Sequence, residues 1–168
     1  IAVDYSSGRI YVVDTLKSSI NVFDSNGFLF SFGIKGDRNA TNNHPTYITL
    51  DKSGNIYLVD SLNFRIQVFS SAGKFISAFG KIGAVPGSFS LPKGVALDSD
   101  RNIYVTDSLL VNVQIFNQSG KLLLFLGESG KGAGEFWLPS GLAIDEENQI
   151  FVADSFNSRV EVFKIIKQ

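Results

Sequence analysis

Tyr47-Ile48-Thr49-Leu50-Asp51, Ile56-Tyr57-Leu58-Val59-Asp60, Arg65-Ile66-Gln67-Val68-Phe69 and Lys74-Phe75-Ile76-Ser77-Ala78-Phe79 follow one another within the stretch from Pro45 to Leu91. Each run is rich in β-branched and aromatic residues. Lys52-Ser53-Gly54-Asn55, Ser61-Leu62-Asn63-Phe64 and Ser70-Ser71-Ala72-Gly73 separate them, the turn chemistry expected between antiparallel strands.

The same unit recurs on both sides at a period of 46 to 47 residues. Asp4, Asp51, Asp98 and Asp145 share one slot; Asp14, Asp60, Asp107 and Asp154 a second; Phe23, Phe69, Phe116 and Phe163 a third. Ile10-Tyr11-Val12-Val13 is apolar on both alternating faces, as a strand is when its sheet lies between two others. Four-stranded antiparallel sheets repeating at this period predict an all-β chain whose sheets are the blades of a β-propeller, with essentially no helix. The blades are expected at residues 1–44, 45–91, 92–138 and 139–168 of a single propeller, the first with a clipped opening strand and the last without its fourth.

Composition narrows the function classes. The chain has 168 residues, 44% of them hydrophobic, enough for a sizeable core, and a net charge of -1 from 15 basic and 16 acidic residues. Such a balance provides no electrostatic footprint for nucleic acid. With no cysteine, disulfides, thiolate metal sites and cysteine nucleophiles are excluded. No run reaches the roughly 18 apolar residues of a membrane helix.

Antiparallel order places the turns after the second and fourth strands on one rim. The long, dissimilar segments Ile34 to His44, Lys81 to Leu91 and Glu128 to Leu138 are expected there, with the turns at Leu62, Leu109 and Phe156. Binding residues usually sit on such loops.

Asp14, Asp60, Asp107 and Asp154 could suit a hard cation. A residue present in every copy defines no asymmetric site, however, and aspartate followed by Ser or Thr accepts N–H bonds at the start of a turn, so they read as structural turn residues. Arg65 and Arg159 are expected to pair with them or to cover a blade edge. His44 is the only histidine: one imidazole without cysteine cannot assemble a zinc site, it is the sole conventional base for a serine nucleophile, and before Pro45 in a rim loop it reads as a solvated turn residue. No phosphate loop or Gly-x-Ser-x-Gly occurs, so no catalytic, cofactor or metal residue is assigned. Asn39-Ala40-Thr41 and Asn117-Gln118-Ser119 match the glycosylation sequon, a pattern short enough to arise by chance. Arg38, His44, Leu109, Leu110, Phe136 and Trp137 are the candidate partner-binding residues, weighed against inter-blade packing.

Gly54-Asn55-Ile56-Tyr57-Leu58-Val59-Asp60-Ser61-Leu62-Asn63-Phe64-Arg65-Ile66-Gln67-Val68-Phe69, followed by Phe79-Gly80 and Gly83-Ala84-Val85-Pro86-Gly87-Ser88-Phe89 before Pro92, resembles the NHL repeat, and the resemblance runs through the chain. Lys17-Ser18-Ser19 and Leu110-Val111-Asn112 depart from it where Asn63-Phe64-Arg65 and Asn157-Ser158-Arg159 keep it; Pro45-Thr46-Tyr47 departs from the usual Pro-x-Gly. The resemblance implies a six-bladed whole, of which this chain would be the C-terminal part, the missing blades coming from upstream chain or another subunit. It implies a non-enzymatic binding or scaffold module with a protein or other macromolecular partner, exported from the cytoplasm. The alternatives are an extracytoplasmic metal-dependent lyase or lactonase-like enzyme, with its site in the channel, and RNA binding.

Overall fold

The computed structural model describes residues 1–165. The chain gathers into two compact units, Ile1–Lys81 and Ile82–Gln168.

The first unit opens with β1 (Ala2–Asp4), β2 (Arg9–Asp14), β3 (Ser19–Asp24) and β4 (Gly27–Phe32), an antiparallel sheet in sequence order. A loop carrying the two-residue strands β5 (Ile34–Lys35) and β6 (Thr41–Asn42) leads to a second such sheet, β7 (Pro45–Leu50), β8 (Ile56–Asp60), β9 (Arg65–Phe69) and β10 (Phe75–Phe79). The second unit repeats the plan with β11 (Pro92–Leu97), β12 (Ile103–Asp107), β13 (Asn112–Phe116) and β14 (Leu122–Leu126). The short β15 (Glu128–Ser129) and β16 (Glu135–Phe136) lie in its loop, and β17 (Pro139–Ile144), β18 (Gln149–Asp154) and β19 (Arg159–Lys164) close the series. Among the described residues the only helical turns are the single 3-10 turns Ser61–Asn63 and Ser155–Asn157.

The strand runs predicted from the sequence match within a residue or two. The second copy's first strand starts at Pro45, ahead of the predicted Tyr47, with a register shift between those two residues. Similar shifts follow Pro92 and Pro139. Proline lacks an N–H for the ladder and so opens each strand beside an irregularity.

Burial follows from the stacking of sheets within each unit. In the first, Tyr11, Ile20 and Val22 pack with Ile48, Ile56, Leu58 and Phe69. The Phe32 and Phe69 rings meet at 5.2 Å, and the Tyr11 hydroxyl reaches Ser71 O. In the second, Tyr104, Val113 and Ile115 pack with Phe136, Leu142, Ile150 and Val152. All five residues of β12 and of β13 are buried, whereas β19 alternates between half-buried and exposed positions, the period-two pattern of a strand with one face in solvent.

A hydroxyl after the second-strand aspartate ties one sheet to the next. Thr15 Oγ1 donates to Pro45 O in the first unit, and Ser108 Oγ donates to Pro139 O in the second. At the opposite rim the first-slot aspartates organise the tight turns: Asp51 accepts from Ser53 N and Asn55 N, and Asp98 from Asp100 N, Asn102 N and the Tyr104 hydroxyl. Burial and the Asp98 charge together push the Tyr104 hydroxyl's pKa up. The Ser7 and Ser6 hydroxyls hold the Asp4 carboxyl down at about 2.

Candidate functional site

The rim segments predicted to carry function are, in the first unit, the loop before β7 and the turns after β2 and β8, and, in the second, the loops before β11 and β17 and the turns after β12 and β18. The three loops have unlike sequences and one backbone. Gly36 N donates to Asn42 O at 2.9 Å, Gly83 N to Phe89 O at 3.0 Å and Gly130 N to Phe136 O at 3.0 Å. Inside each loop Thr41 N, Ser88 N and Glu135 N close a tighter turn on Arg38 O, Val85 O and Gly132 O. Segments that are dissimilar in sequence thus share these main-chain hydrogen bonds. The side chain filling the slot at Asn42, Phe89 and Phe136 is 0% exposed in each.

Phe136 requires correction as a partner-binding residue. Its ring lies fully buried in the core of the second unit, edge-on to Phe163 at 5.8 Å, and offers no surface to a partner.

Each loop is fastened to the sheet behind it by the second-slot aspartate. Asp60, fully buried, accepts from Asn43 N at 2.6 Å, Asn63 Nδ2 at 2.8 Å, Arg65 Nε at 2.8 Å and Gln67 Nε2 at 3.1 Å. Asp154 accepts from Trp137 N at 2.7 Å, Asn157 Nδ2 at 2.7 Å and Arg159 Nε at 2.9 Å. Burial pushes the Asp154 carboxyl up, but these donors and the Arg159 charge outweigh it and hold the group below its ordinary value. The arginines then reach the loop carbonyls: Arg65 Nη2 donates to Arg38 O and Thr41 O, and Arg159 to Lys131 O, Gly132 O and Glu135 O.

The third copy is fastened differently. Asp107 is also fully buried, but it accepts from the N–H groups of Ser90, Leu91, Leu109 and Leu110, and among the described residues no cation pairs with it. Asn112 occupies the arginine slot, 7% exposed, and its Oδ1 has no hydrogen-bond partner. In the first copy Asp14 accepts from Lys17 N, with the Lys17 ammonium 3.7 Å away.

Of the other predicted residues, Arg38 and His44 are exposed, His44 at φ 55. Leu109 is exposed and Leu110 half-buried. Trp137 stands 45% exposed, with the Phe156 ring at 5.7 Å and the Lys131 ammonium 5.2 Å over its own ring. Phe156 and Lys131 belong to this cluster and were not among the predicted residues. The repeat signals Phe156: the second residue after the aspartate is Leu16, Leu62, Leu109 or Phe156, exposed by 92%, 46%, 57% and 61%. Among the described residues no group of three or more His, Asp or Glu side chains is placed to hold a metal ion, and no helix is long and apolar enough to cross a membrane.

Solved structures share this fold. A streptogramin B lyase superposes with a TM-score of 0.73 at 13% identity, over 98% of this chain and 53% of its own. A Bacteroides thetaiotaomicron protein of unknown function gives 0.77 at 16%, over 97% of this chain and 46% of its own. The WD40 β-propeller domain of Doa1 gives 0.65 at 16%, over 98% and 49%. The chain thus spans about half the length of each, and at such identities the likeness is one of fold. No curated protein matches. The family DUF5128, described as a 6-bladed beta-propeller, matches over residues 44–108 and 95–166, and the chain belongs to that family.

Proposed function

We propose that these blades form an NHL-type segment of a propeller acting as a non-enzymatic docking module, with a protein as the partner. The observation that carries this reading is the exposed apolar side chain two residues after the second-slot aspartate in every copy: Leu16, Leu62, Leu109 and Phe156. A turn held by aspartate has no folding need for a large apolar residue pointing into water, and a polar one would serve its backbone equally well. Exposed apolar residues on a rigid rim mark interaction surfaces, and aromatic anchors dominate protein interfaces. Trp137 adds the largest anchor, steadied on Phe156 and Lys131.

The test is affinity capture by wild-type chain and by the Trp137→Ala/Phe156→Ala double variant, with melting temperatures measured in parallel. The expected result is a partner retained by the wild type and lost at least tenfold by the variant, at a melting temperature within a few degrees of wild type. Equal capture by both would end the rim-docking reading. Stoichiometric metal with lyase or lactonase turnover would replace it by the enzymatic alternative, and salt-sensitive RNA retention by the nucleic-acid one.

A further inference from the structure

The copies serve as casts of one another: copies two and four carry Arg65 and Arg159 where copies one and three have Ser19 and Asn112, and copy three has its loop Lys81 to Leu91 to compare with theirs. In copies two and four a guanidinium fills the space bounded by the buried aspartate and two loop carbonyls. Arg65 bonds Asp60 Oδ2, Arg38 O and Thr41 O at 2.8, 2.7 and 2.9 Å. Arg159 bonds Asp154 Oδ2, Gly132 O and Glu135 O at 2.9, 2.7 and 2.8 Å. Copy three keeps the acceptors. Val85 O and Ser88 O occupy the corresponding positions, since Ser88 N closes on Val85 O at 3.0 Å as Thr41 N closes on Arg38 O. Gln114 also spans the loop as Gln67 does, accepting from Gly87 N and donating to Ser88 O, where Gln67 accepts from Ala40 N and donates to Thr41 O. Both side-chain donors have changed, the arginine to the short amide of Asn112 and the asparagine of Asn63 and Asn157 to Leu110, and Asp107 takes Leu109 N and Leu110 N in their stead.

We propose that the turn Asp107 to Asn112, with the loop Lys81 to Leu91, receives an arginine side chain presented by a protein partner. Two independent observations point to a guanidinium. Asp107 is a fully buried carboxylate held by uncharged backbone donors, an anion with no counter-cation among the described residues. Asn112 Oδ1 is a buried acceptor without a donor among the described residues, a state that is unfavourable wherever it persists. A forked cation serves a carboxylate and divergent carbonyls together, as both internal copies show, whereas an ammonium cannot span them in one plane.

The surroundings fit the stem of the same side chain. Leu110 and Val111 replace Asn63 and Phe64, Leu109 is 57% exposed, and Val85 is 63% exposed. Three methylenes lying on such a surface while the head group enters is how arginine buries itself at interfaces. Val111 holds φ 55, a left-handed conformation that β-branched residues resist, so the apolar turn is kept at a conformational cost.

This inference rests on the protein-docking reading, and its test is kept separate from partner capture. The isotope-labelled chain is titrated with N-acetyl-arginine methylamide, and with the lysine analogue as comparison. The expected result is saturable movement of the Gly87, Ser88, Leu109, Leu110 and Asn112 amides, at least several-fold weaker for lysine, with a rise in melting temperature as ligand accumulates. Asn112→Arg should place the guanidinium from within, abolish the titration and melt higher than wild type. Asn112→Ala should weaken the titration but keep it, because the Asp107 carboxylate and the Val85 and Ser88 carbonyls remain after one acceptor is lost. Absence of saturable shifts, shifts surviving in Asn112→Arg, or equal response to lysine would each overturn the arginine receptor. Shifts confined to Trp137 and Phe156 would overturn it too, while leaving rim docking in place.

Discussion

The loops Glu128 to Leu138 and Lys81 to Leu91 trace the same path, yet one is stapled by a charged side chain and the other by neutral groups only, the backbone N–H groups on Asp107 and the Gln114 amide. Arg159 ties Asp154 to Lys131 O, Gly132 O and Glu135 O; Asn112, in the same slot, ties nothing through its oxygen. The difference teaches that the path of these loops is set by the buried aspartate and the glycine-initiated turn, which both share. The arginine is an additional clamp. A propeller can therefore vary the residue after its hairpin turn without losing the loop.

The comparison breaks most sharply at the aspartate. Asp60→Ala strips the buried acceptor from Asn43 N, Asn63, Arg65 and Gln67 and leaves the guanidinium unpaired, so a loss of about 3–5 kcal/mol is expected in urea unfolding. A loss under about 1 kcal/mol would show that the network contributes to placement and not to stability.

The arginine slot gives a smaller effect of opposite sign in the two kinds of copy. Arg65→Ala should destabilise by about 1.5–3 kcal/mol and speed amide exchange from Gly36 to Asn42. Asn112→Ala removes an unpaired oxygen and should be neutral or slightly stabilising. Equal losses at both positions would erase the distinction between clamped and unclamped loops.

The smallest effect is in the acid limb. The folded-state pKa of Asp154 lies below its ordinary 3.8, so its contribution is present above that value and is lost as pH falls through the lowered one. The Glu128 to Leu138 loop should loosen over that window, read as faster exchange at Gly130 N and Trp137 N. In Asp154→Asn the acid dependence at those amides should flatten. An unchanged profile would mean that Asp154 is not the titrating group.

Much of the fold was legible in the chain itself. The period, the four-strand unit and the turn chemistry follow from local preferences repeated in register, and each strand appears where alternation or double-faced apolarity placed it. The long loops were harder, because their common backbone is enforced by main-chain bonds that carry no residue signature. Phe136 was misplaced on the rim for that reason: in sequence it neighbours Trp137, but β15 and β16 pair so that its ring turns inward while Trp137 faces out. The 47-residue offset to Phe89 and Asn42, both fully buried, was the signal that could have found it. Phe156 was recoverable in the same way, by comparing it with Leu16, Leu62 and Leu109.

The sequence by itself determined the repeat, its strands and the aspartate that begins each rim turn, since these depend on side-chain alternation and on hydrogen bonds within a few residues. Only the tertiary structure decided which rim residues reach solvent and what the arginines of copies two and four clamp. Those outcomes depend on contacts between residues about 27 positions apart, such as Arg65 with Arg38 O and Gln114 with Gly87 N, and the chain must close before either exists.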